Sequence, residues 1–597
     1  MTKYCGSALT LCTICLLLSC ASPKEDLSVK DVMDSVVSRF YRDFAKYQLD
    51  TISHQFILQY LSEEEKEVLA TQYWIFDVNI PVTVSIMRDT AQQVIPFWIV
   101  EAGFQRTDLM VRNSLSTYEV WQKDFDSGRI GLGINGFDKH RPVYFISVGP
   151  QQPEADLKIN PIFPSHQHFE AMEQGAFTYH DWDGLKLTEV PDELEGQILF
   201  TTIRGRAREA HLLDAFRETA FPSSEMPDQV LLTWSDDPRT TMDIQWRTAP
   251  SFEEGIVEYW AANTTDTLRL TVEAAVMEDR LLQNDRYIHR FTAKLKDLQP
   301  GTTYQYRIGS GDCQFSDRYA FSTSAAEERP FSFLWTGDVH NSDIWGSMIQ
   351  KAYHRHSNSA FYIAAGDLVN TGLHRDDWDK LMAYPGDVFA KIPFMAVPGN
   401  HDSQDGLGAW MYQEMFSYPD NGPSQEMSEL TYAFSYQNAL FLMIDVTLPI
   451  EEQTVWIEQQ LSQSQEDWKF AVFHFPPYNA IELYQDIIDE WGPLFDKFHV
   501  DMVMSGHFHY YLRTKPINEG EVVKTPAEGT IYLMSVGTTG KNKDAAPEPY
   551  AEVQIGADHL YQHVEIDGLK LRYTSYGADG EVKDRFEIQK NKEHNTP

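Results

Sequence analysis

Carboxylate, amide and imidazole side chains recur at the ends of short apolar runs in the C-terminal half of the chain. Five such runs are rich in Phe, Val, Ile and Ala, and a polar block follows each of them. The blocks are Gly337-Asp338-Val339-His340, Gly366-Asp367, Gly399-Asn400-His401-Asp402, His474, and Gly506-His507-Phe508-His509. Runs of this length predict buried strands, and residues at the carboxyl ends of such strands converge on one crevice. The pattern therefore predicts a metal site.

The donor types restrict the metal. The predicted ligands are Asp338, His340, Asp367, Asn400, His474, His507 and His509. Carboxylate, amide and imidazole donors suit Mn²⁺, Zn²⁺ or Fe better than a thiolate-seeking ion. Seven side chains are too many for one tetrahedral zinc. They suit two metal ions about 3.5–4 Å apart that share a bridging carboxylate.

The order D-x-H, GD, GNHD, H, GHxH resembles the calcineurin-like metallophosphoesterase superfamily over residues 330–597. The resemblance implies two ligand sets, which are Asp338, His340, Asp367 and His509 for one metal and Asp367, Asn400, His474 and His507 for the other. Asp367 would bridge the two ions. His401 would be the catalytic residue that faces the phosphate and the leaving group, and Asp402 would orient the ligands from outside.

The resemblance also implies a reaction, the hydrolysis of phosphate esters. Two divalent metals would neutralise the phosphoryl oxygens, and a metal-bridged hydroxide would attack phosphorus in line. We expect a phosphomonoesterase, with a phosphodiesterase or nucleotidase as the alternative within the superfamily. A surface binding lipoprotein with a vestigial phosphatase domain is the alternative of another class. The complete set of seven ligands favours activity, because a decayed site would have lost some of them.

Residues 226–325 alternate between apolar and polar side chains and contain a tyrosine-corner candidate at Tyr304, as in fibronectin III sandwiches. This segment resembles the N-terminal domain of purple acid phosphatases, which precedes the same kind of catalytic domain. Those enzymes carry a tyrosine ligand where this chain has Asn370, and they lack the histidine found here at His340. We therefore expect two divalent metals without an iron–tyrosinate colour.

The predicted fold is multidomain α+β, with an α/β catalytic sandwich of two sheets flanked by helices. β-Sandwich domains and a short helical N-terminal region are expected to precede it. The predicted parts are 1–20 signal peptide, 21–72 tether and helical region, 73–152 β-sandwich, 153–225 connector or small subdomain, 226–325 fibronectin III-like domain, and 330–597 metallophosphoesterase domain. Within the helical region, Ser62 is the predicted helix cap, with Glu65 completing a capping box.

The net charge of the chain restricts the partners that the protein can bind. The chain has 597 residues, with 88 acidic against 49 basic residues and a net charge of −39, which argues against general nucleic-acid binding. A small phosphate ester remains a suitable partner because bound metals supply local positive charge.

The apolar stretch Ala8–Leu18 is too short to span a bilayer and leads into Ser19-Cys20. This resembles a bacterial lipoprotein box.

The resemblance implies an exported protein with a lipid anchor on Cys20 in the cell envelope, at the outer membrane or cell surface. Cys313 would then be the single remaining cysteine, so no internal disulfide is expected. Two further expectations concern the catalytic half. His354 and His356 are predicted to be exposed on a helix. Scattered aromatic side chains are expected to serve packing for the most part, and some could stack a nucleobase; they are Trp345, Tyr362, Trp378, Trp410, Tyr412, Tyr478 and Trp491.

Overall fold

The structure is a computed structural model, and it describes residues 27–49, 51–153, 155–179, 185–202, 204–264, 266–310, 314–403, 407–481, 483–537, 546–556 and 558–591. The predicted lipidation at Cys20 and the lone Cys313 lie outside the described residues. Within the described part of the chain, no helix is both long enough and apolar enough to cross a membrane.

Helices occur at the N-terminus and around the catalytic sheets. They are α1 (Val29–Asp43), α2 (Lys46–Leu49), α3 (His54–Tyr60), α4 (Glu63–Thr71), α5 (Phe97–Glu101), α6 (Asp343–Arg355), α7 (Arg375–Ala383), α8 (Trp410–Met415), α9 (Ile450–Gln463) and α10 (Gln485–Phe498), with 3₁₀ turns at Arg204–Ala210 and Val388–Ala390. The predicted capping box of α4 is confirmed: the Glu65 N–H donates to Ser62 Oγ, and the Ser62 N–H donates to the Glu65 carboxylate. These two hydrogen bonds give partners to backbone N–H groups that the first turn of the helix leaves without one.

An N-terminal β module follows the first helices. Its strands are β1 (Trp74–Val78), β2 (Val82–Asp89), β3 (Gln105–Asn113), β4 (Thr117–Phe125), β5 (Gly128–Leu132), β6 (Phe145–Pro150), β7 (Ile159–Phe163), β8 (His168–Ala171), β9 (Leu187–Glu189) and β10 (Ile198–Thr201). They form a three-stranded sheet, β5-β1-β7, and a seven-stranded sheet, β8-β10-β6-β2-β4-β3-β9. The predicted boundary after residue 152 is wrong, because β7 to β10 belong to these same sheets. These four strands are short, so the alternation of apolar and polar residues along them is too brief to predict which strands they pair with.

The next module is a sandwich of two antiparallel sheets. Its strands are β11 (Asp228–Thr233), β12 (Met242–Thr248), β13 (Glu254–Ala261), β14 (Leu268–Glu273), β15 (Ala275–Glu278), β16 (Tyr287–Leu295), β17 (Thr303–Ser310), β18 (Gln314–Phe315) and β19 (Tyr319–Ser322). One sheet has the order β11-β12-β16-β15 and the other β14-β13-β17-β18, with β19 beside β17. The tyrosine corner is confirmed, because the Tyr304 hydroxyl accepts a hydrogen bond from the Gln299 N–H at 2.9 Å.

The catalytic part contains two sheets that pack together. Its strands are β20 (Phe331–Thr336), β21 (Tyr362–Ala365), β22 (Phe394–Val397), β23 (Tyr432–Tyr436), β24 (Ala439–Met443), β25 (Trp468–Val472), β26 (Met502–Ser505), β27 (Tyr511–Thr514), β28 (Ile517–Asn518), β29 (Glu521–Val522), β30 (Ile531–Met534), β31 (Ala551–Ile555), β32 (Leu560–Asp567), β33 (Lys570–Gly577) and β34 (Val582–Gln589). The two packed sheets have the orders β22-β21-β20-β32-β33-β34 and β23-β24-β25-β26-β30-β27-β31, and β28 and β29 form a separate two-stranded sheet. The predicted two-sheet sandwich is confirmed.

Parallel pairing places the predicted motifs at a common edge. Strands β20, β21 and β22 are mutually parallel neighbours in one sheet, and β25 and β26 are parallel neighbours in the other. A polar block follows each of these five strands. The carboxyl ends of parallel strands open on one side of a sheet, so the two sheets deliver their polar residues to one crevice.

The sandwich module and the catalytic sheets share one apolar core. Trp234, the residue directly after β11, is fully buried and packs against Phe361 and Tyr436, with ring centroids 5.6 and 5.5 Å away. The Thr233 hydroxyl also donates to the Ser417 carbonyl at 2.6 Å. The sandwich is therefore a fixed part of the catalytic body, because its aromatic core continues across the boundary.

Buried ion pairs fix the start of α7, which follows the Asp367 motif along the chain. Arg375 donates through Nη1 to Asp285 at 3.1 Å, and its N–H donates to Asp279 at 3.0 Å. Arg217, from the segment after the N-terminal module, contacts both Asp279 and Asp376. Three parts of the chain therefore meet at the N-terminus of α7, where carboxylates and arginines neutralise each other.

We expect Arg375→Met to destabilise the protein strongly. The Arg375 side chain is fully buried and that of Asp285 is 9% exposed, so removing the arginine leaves a buried carboxylate whose remaining cation, Arg247, is 4.0 Å away. Loss of one partner of a buried pair costs about 3–5 kcal/mol. Thermal unfolding followed by circular dichroism should show a clear decrease in Tm. The matched control is Arg572→Met, which breaks an exposed pair with Glu587 and should cost no more than about 1 kcal/mol. Equal shifts in the two variants would contradict the prediction.

A stacked histidine pair lies behind the catalytic sheet. The rings of His356 and His563 are 3.9 Å apart between centroids and nearly parallel, and His563 is 8% exposed. The prediction that His356 is exposed is wrong, because the end of α6 packs on β32 and covers this ring. Burial lowers the pKa of His356 to about 4 and that of His563 to about 3. Both imidazoles are therefore neutral over the physiological range.

We expect this pair to make the protein less stable in acid. An unfolded histidine binds a proton near pH 6.5, whereas folded His563 resists protonation down to about pH 3. Protons therefore favour the unfolded chain: the stability is complete above about pH 6.5 and is lost as the pH falls, by about 2 kcal/mol at pH 5 for one such group. His563→Phe keeps a ring in the stack, and its unfolding should depend less on pH between 7.5 and 5.0. The exposed His354→Phe serves as control. Identical pH dependence in wild type and His563→Phe would exclude this role.

Candidate metal centre

The glycines of the motifs let neighbouring ligand loops touch. A Cβ at Gly399 would lie 2.3 Å from Asp367 Oδ1, and a Cβ at Gly506 would lie 2.3 Å from Asp338 Oδ2. Any side chain at these positions would displace a predicted ligand. The paired motifs therefore need glycine because each glycine forms the wall against which the carboxylate of another strand packs.

Backbone strain is concentrated at the same place. Several non-glycine residues of the motifs adopt left-handed backbone angles, with φ between +46° and +83°, namely Asp338, His340, Asp367, His507 and His509. Such conformations cost about 1–3 kcal/mol each and persist where the surrounding structure holds them. Here they turn the chain sharply at the strand ends, so that consecutive side chains point into the crevice.

The first predicted ligand set is brought together. Nε2 of His509 lies 3.2 Å from Asp338 Oδ1 and 3.1 Å from Nε2 of His340. The same His340 nitrogen lies 3.6 Å from Asp367 Oδ2. Asp338 is held in place through its other oxygen, which accepts the His507 N–H at 2.6 Å. One ligand atom from each of the four residues therefore points at a common position.

The second predicted ligand set lies on the other side of Asp367. Nε2 of His474 is 3.2 Å from Asp367 Oδ2, and His507 joins these two residues. The His474 Nδ1–H donates to the Ala365 carbonyl at 2.9 Å, which leaves Nε2 to face the carboxylate. Asn400 is 1% exposed and follows β22 at the same edge. Asp367 belongs to both sets, as expected of a bridging ligand.

The donors fit metal ions. Ligands about 2.0–2.2 Å from one ion, at angles of 90–110°, lie about 3.0–3.5 Å apart, close to the 3.1–3.6 Å separations seen here. The buried atom Asn400 Oδ1 has no hydrogen-bond partner within the described structure. Buried polar atoms rarely lack partners, and an amide oxygen is a good metal ligand. The donor set and its geometry therefore fit a dinuclear centre.

The imidazoles of the site stabilise the ionised form of the two buried aspartates. Although burial opposes ionisation, the His340 and His509 rings keep the pKa of Asp338 below its ordinary value. The imidazoles around Asp367, with His474 foremost, likewise keep its pKa well below the ordinary range despite burial. Both carboxylates are therefore ionised at any physiological pH, which is the state that binds cations.

His401 lies beside the ligand sets and belongs to neither of them. Its Nδ1–H donates to the Asn370 carbonyl at 2.8 Å, and its ring centroid is 5.0 Å from that of His340. With Nδ1 fixed as a donor, Nε2 is the nitrogen that can exchange a proton with a ligand. Burial is the largest effect on the His401 ring and lowers its pKa to about 4, even though the Asp367 carboxylate opposes the shift. This value is well below the pKa of about 6.5 of a free imidazole.

Within the described residues, Asp402 acts on the loop backbones and not on a ligand imidazole. Its carboxylate accepts the N–H groups of Leu368, Val369 and Gly399 at 2.9–3.0 Å. It therefore ties the loop of Asp367 to the loop of Asn400. Sequence analysis missed the carbonyls of Asn370 and Ala365, which fix the tautomers of His401 and His474. No side-chain signal exists for them because the acting group belongs to the backbone.

Family comparisons agree with this geometry. Residues 227–323 match the purple acid phosphatase N-terminal domain, and residues 331–511 match the calcineurin-like phosphoesterase family. The chain is a metallophosphoesterase with purple acid phosphatase-like architecture. It is therefore a metal-dependent hydrolase of phosphoric esters with a dinuclear metal centre, as the resemblance implied.

Its relatives among purple acid phosphatases are distant. Purple acid phosphatase 18 of Arabidopsis thaliana is 24% identical over 397 residues, which cover 62% of this chain and 86% of the relative. Acid phosphatase type 7 of Mus musculus is 25% identical over 419 residues, which cover 60% and 90%. The structure of purple acid phosphatase PPD1 from yellow lupin seeds superposes with a TM-score of 0.54 at 15% identity, covering 88% of this chain and 94% of that one. That superposition shows a shared fold.

The metallophosphoesterase site departs from the purple enzymes at the position of their tyrosine. Asn370 occupies it, and its side chain is exposed, with Nδ2 3.4 Å from the His340 carbonyl. An amide cannot supply the phenolate that colours an iron centre. The expectation of a colourless centre stays a prediction, and the absorption spectrum of the iron-loaded protein tests it.

Proposed function

We propose that this metallophosphoesterase is a phosphomonoesterase of the cell envelope. The observation that carries the proposal is the position of His401 beside both ligand sets, with Nδ1 held by the Asn370 carbonyl. Relatives named as purple acid phosphatase and acid phosphatase support the monoester choice.

The roles of the chain's own residues follow from their contacts. When bound, two divalent metals supply positive charge for the phosphoryl oxygens and lower the pKa of a water molecule. Asp367 holds the two ligand sets together and fixes the His401 loop by accepting its N–H at 3.0 Å. His401 presents Nε2 to the substrate. Because its Nδ1 proton is held by the Asn370 carbonyl, Nε2 must take up a proton, which the negative charge of a bound phosphate favours, before it can protonate the leaving oxygen. Asp402 keeps the two loops in register.

The distinguishing experiment compares a monoester with a diester of the same leaving group. Purified protein is loaded with Mn²⁺, Zn²⁺ or Fe²⁺ and assayed with p-nitrophenyl phosphate and bis(p-nitrophenyl) phosphate. We expect kcat/KM to be at least tenfold higher for the monoester. Preference for the diester would make the chain a phosphodiesterase. Metal content is measured in parallel, because a protein that binds no metal and cleaves neither ester would favour the binding-lipoprotein alternative.

The envelope location has its own support and its own test. The apolar stretch Ala8–Leu18 followed by Ser19-Cys20 resembles a lipoprotein box. A Cys20→Ser variant should lose the lipid anchor and move from the membrane fraction to the soluble fraction. Unchanged membrane association of this variant would exclude the proposed anchor.

A further inference from the structure

Asn341 directly follows the predicted ligand His340, and its side chain belongs to neither predicted ligand set. The residue is 5% exposed, and its amide group makes two hydrogen bonds. Oδ1 accepts the Asn370 N–H at 2.8 Å, and Nδ2 donates to Asp377 Oδ1 at 3.2 Å. Asn370 belongs to the loop after β21, and Asp377 lies in the first turn of α7. The amide therefore links the loop that carries the Asn370 carbonyl to a helix.

The loop at Asn370 holds His401 at two points. The His401 Nδ1–H donates to the Asn370 carbonyl at 2.8 Å, and the Gly372 N–H donates to the His401 carbonyl at 2.7 Å. The first contact fixes which ring nitrogen carries the proton, and the second fixes the backbone of His401. A movement of this loop would therefore change both the position of the imidazole and the nitrogen that it presents to a substrate.

Helix α7 makes a second hydrogen bond to the same loop. Trp378 is fully buried, and its indole N–H donates to the Gly372 carbonyl at 2.9 Å. The start of α7 is held in turn by the ion pairs of Arg375 and Arg217 with carboxylates from other parts of the chain. Asn341 and Trp378 therefore join the His401 loop to a helix whose position is fixed from outside the metal centre.

An amide suits both contacts of Asn341. The Asn370 N–H needs an acceptor, the Asp377 carboxylate needs a donor, and an amide supplies one of each. An aspartate at position 341 would still accept the Asn370 N–H. Its second oxygen, however, would stand where Nδ2 now lies, 3.2 Å from Asp377 Oδ1, and two ionised carboxylates at that distance repel each other.

The backbone of Asn341 also favours asparagine, and this second reason can be separated from the first. Its φ is +42°, in the left-handed region, and its N–H donates to the Leu368 carbonyl at 2.7 Å. Asparagine and aspartate both tolerate this conformation better than most residues. Replacement of Asn341 by aspartate therefore changes the side-chain contacts without new backbone strain.

We propose that Asn341 is a positioning residue for His401, acting through the Asn370 carbonyl, with α7 as its support. This proposal rests on the phosphomonoesterase function, in which His401 passes a proton to the leaving oxygen. Without the Asn341 acceptor, the Asn370 N–H must find another partner, and the loop moves with it. Displacement of a reacting group by about 1 Å can cost about 10²-fold in rate, so kcat should fall by at least tenfold.

The first variant is Asn341→Asp, assayed as the full chain loaded with Zn²⁺. We expect metal content and KM to stay near the wild-type values, while kcat for glycerol 2-phosphate falls at least tenfold. The loss should be smaller for p-nitrophenyl phosphate, in the same direction as for His401→Gln, because its phenolate leaves without a proton. Loss of metal, or a change in KM alone, would overturn the proposal, because Asn341 would then support a ligand or substrate binding.

A double variant tests the contact itself. Asn341→Asp combined with Asp377→Asn exchanges the two partners and leaves the net charge unchanged. The amide at position 377 would donate to the new carboxylate, and its oxygen would keep Lys380 Nζ as a partner, now 2.9 Å from Asp377 Oδ1. We expect kcat to recover at least fivefold relative to Asn341→Asp alone. No recovery would overturn the proposal, because a change on α7 cannot repair an unrelated fault at position 341.

The matched control is Asn438→Asp. Asn438 Nδ2 donates to Asp467 at 3.1 Å, so this variant also replaces an amide–carboxylate contact by two carboxylates. Asn438 precedes β24, which is parallel to β25, so it lies at the edge of the sheet opposite to His474. Metal content and kcat should stay at the wild-type values for both esters. Equal losses in Asn438→Asp and Asn341→Asp would overturn the proposal, because they would show a general effect of added charge.

Imidazole NMR measures the state of His401 without turnover. In zinc-loaded protein labelled with nitrogen-15 histidine, the His401 ring is identified by the signal that His401→Gln removes. We expect the Nδ1–H tautomer in the wild type, its loss in Asn341→Asp and its return in the double variant. If the wild type cleaves no ester, the phosphatase proposal fails, and the spectra still decide this one: a His401 signal that Asn341→Asp leaves unchanged overturns it.

Discussion

Asp367→Asn is expected to remove bound metal and hydrolytic activity together. One carboxylate oxygen of Asp367 lies 3.6 Å from His340 Nε2 and 3.2 Å from His474 Nε2, so it serves both ligand sets. Asparagine keeps the shape but removes the charge. Because the metals activate the attacking water, kcat/KM should fall by roughly four orders of magnitude. Metal content, measured by mass spectrometry of the dialysed protein, should fall below one ion per chain.

The matched control for this experiment is Asp387→Asn. Asp387 lies in the same part of the chain, is exposed and pairs with Lys391 at 2.7 Å, so its replacement makes the same chemical change away from the centre. It should leave metal content and kcat/KM at wild-type values. An Asp367→Asn protein that retains two metals and full turnover would contradict the bridging role.

His401→Gln is expected to retain both metals and lose turnover. The His401 ring contacts the Asn370 carbonyl and stands outside both ligand sets, so metal binding does not depend on it. Loss of a general acid costs about 10²–10⁴-fold in rate. The decrease in kcat should be larger for glycerol 2-phosphate, whose alkoxide leaves poorly, than for p-nitrophenyl phosphate, whose phenolate leaves without a proton.

The contrast between leaving groups makes the role of His401 testable. Equal losses with both esters would show that His401 binds the phosphate and does not protonate the leaving oxygen. Loss of metal would show instead that it is a ligand. His354→Gln is the control, because His354 is exposed on α6 and should be replaceable without effect on either ester.

Some features of this protein were determined by local sequence. Apolar runs that end in a polar residue, four of them through a glycine, predicted the five strands and the seven candidate ligands, because a buried parallel strand needs a continuous apolar run and its end needs a turn. The capping box at Ser62 and the tyrosine corner at Tyr304 were equally local signals. Each of them depends on side chains a few residues apart, so one sequence is enough to detect it.

Tertiary structure alone decided the rest. The strands after residue 152 join the N-terminal sheets through pairings distant in sequence, and their short length gave no periodicity from which the partner could be inferred. The Asn370 and Ala365 carbonyls that orient His401 and His474 are backbone groups, which every residue possesses. The ion pairs at the start of α7 exist only where three parts of the chain meet. Sequence determined which groups could do the chemistry, and long-range packing decided how they are oriented and what lies beside them.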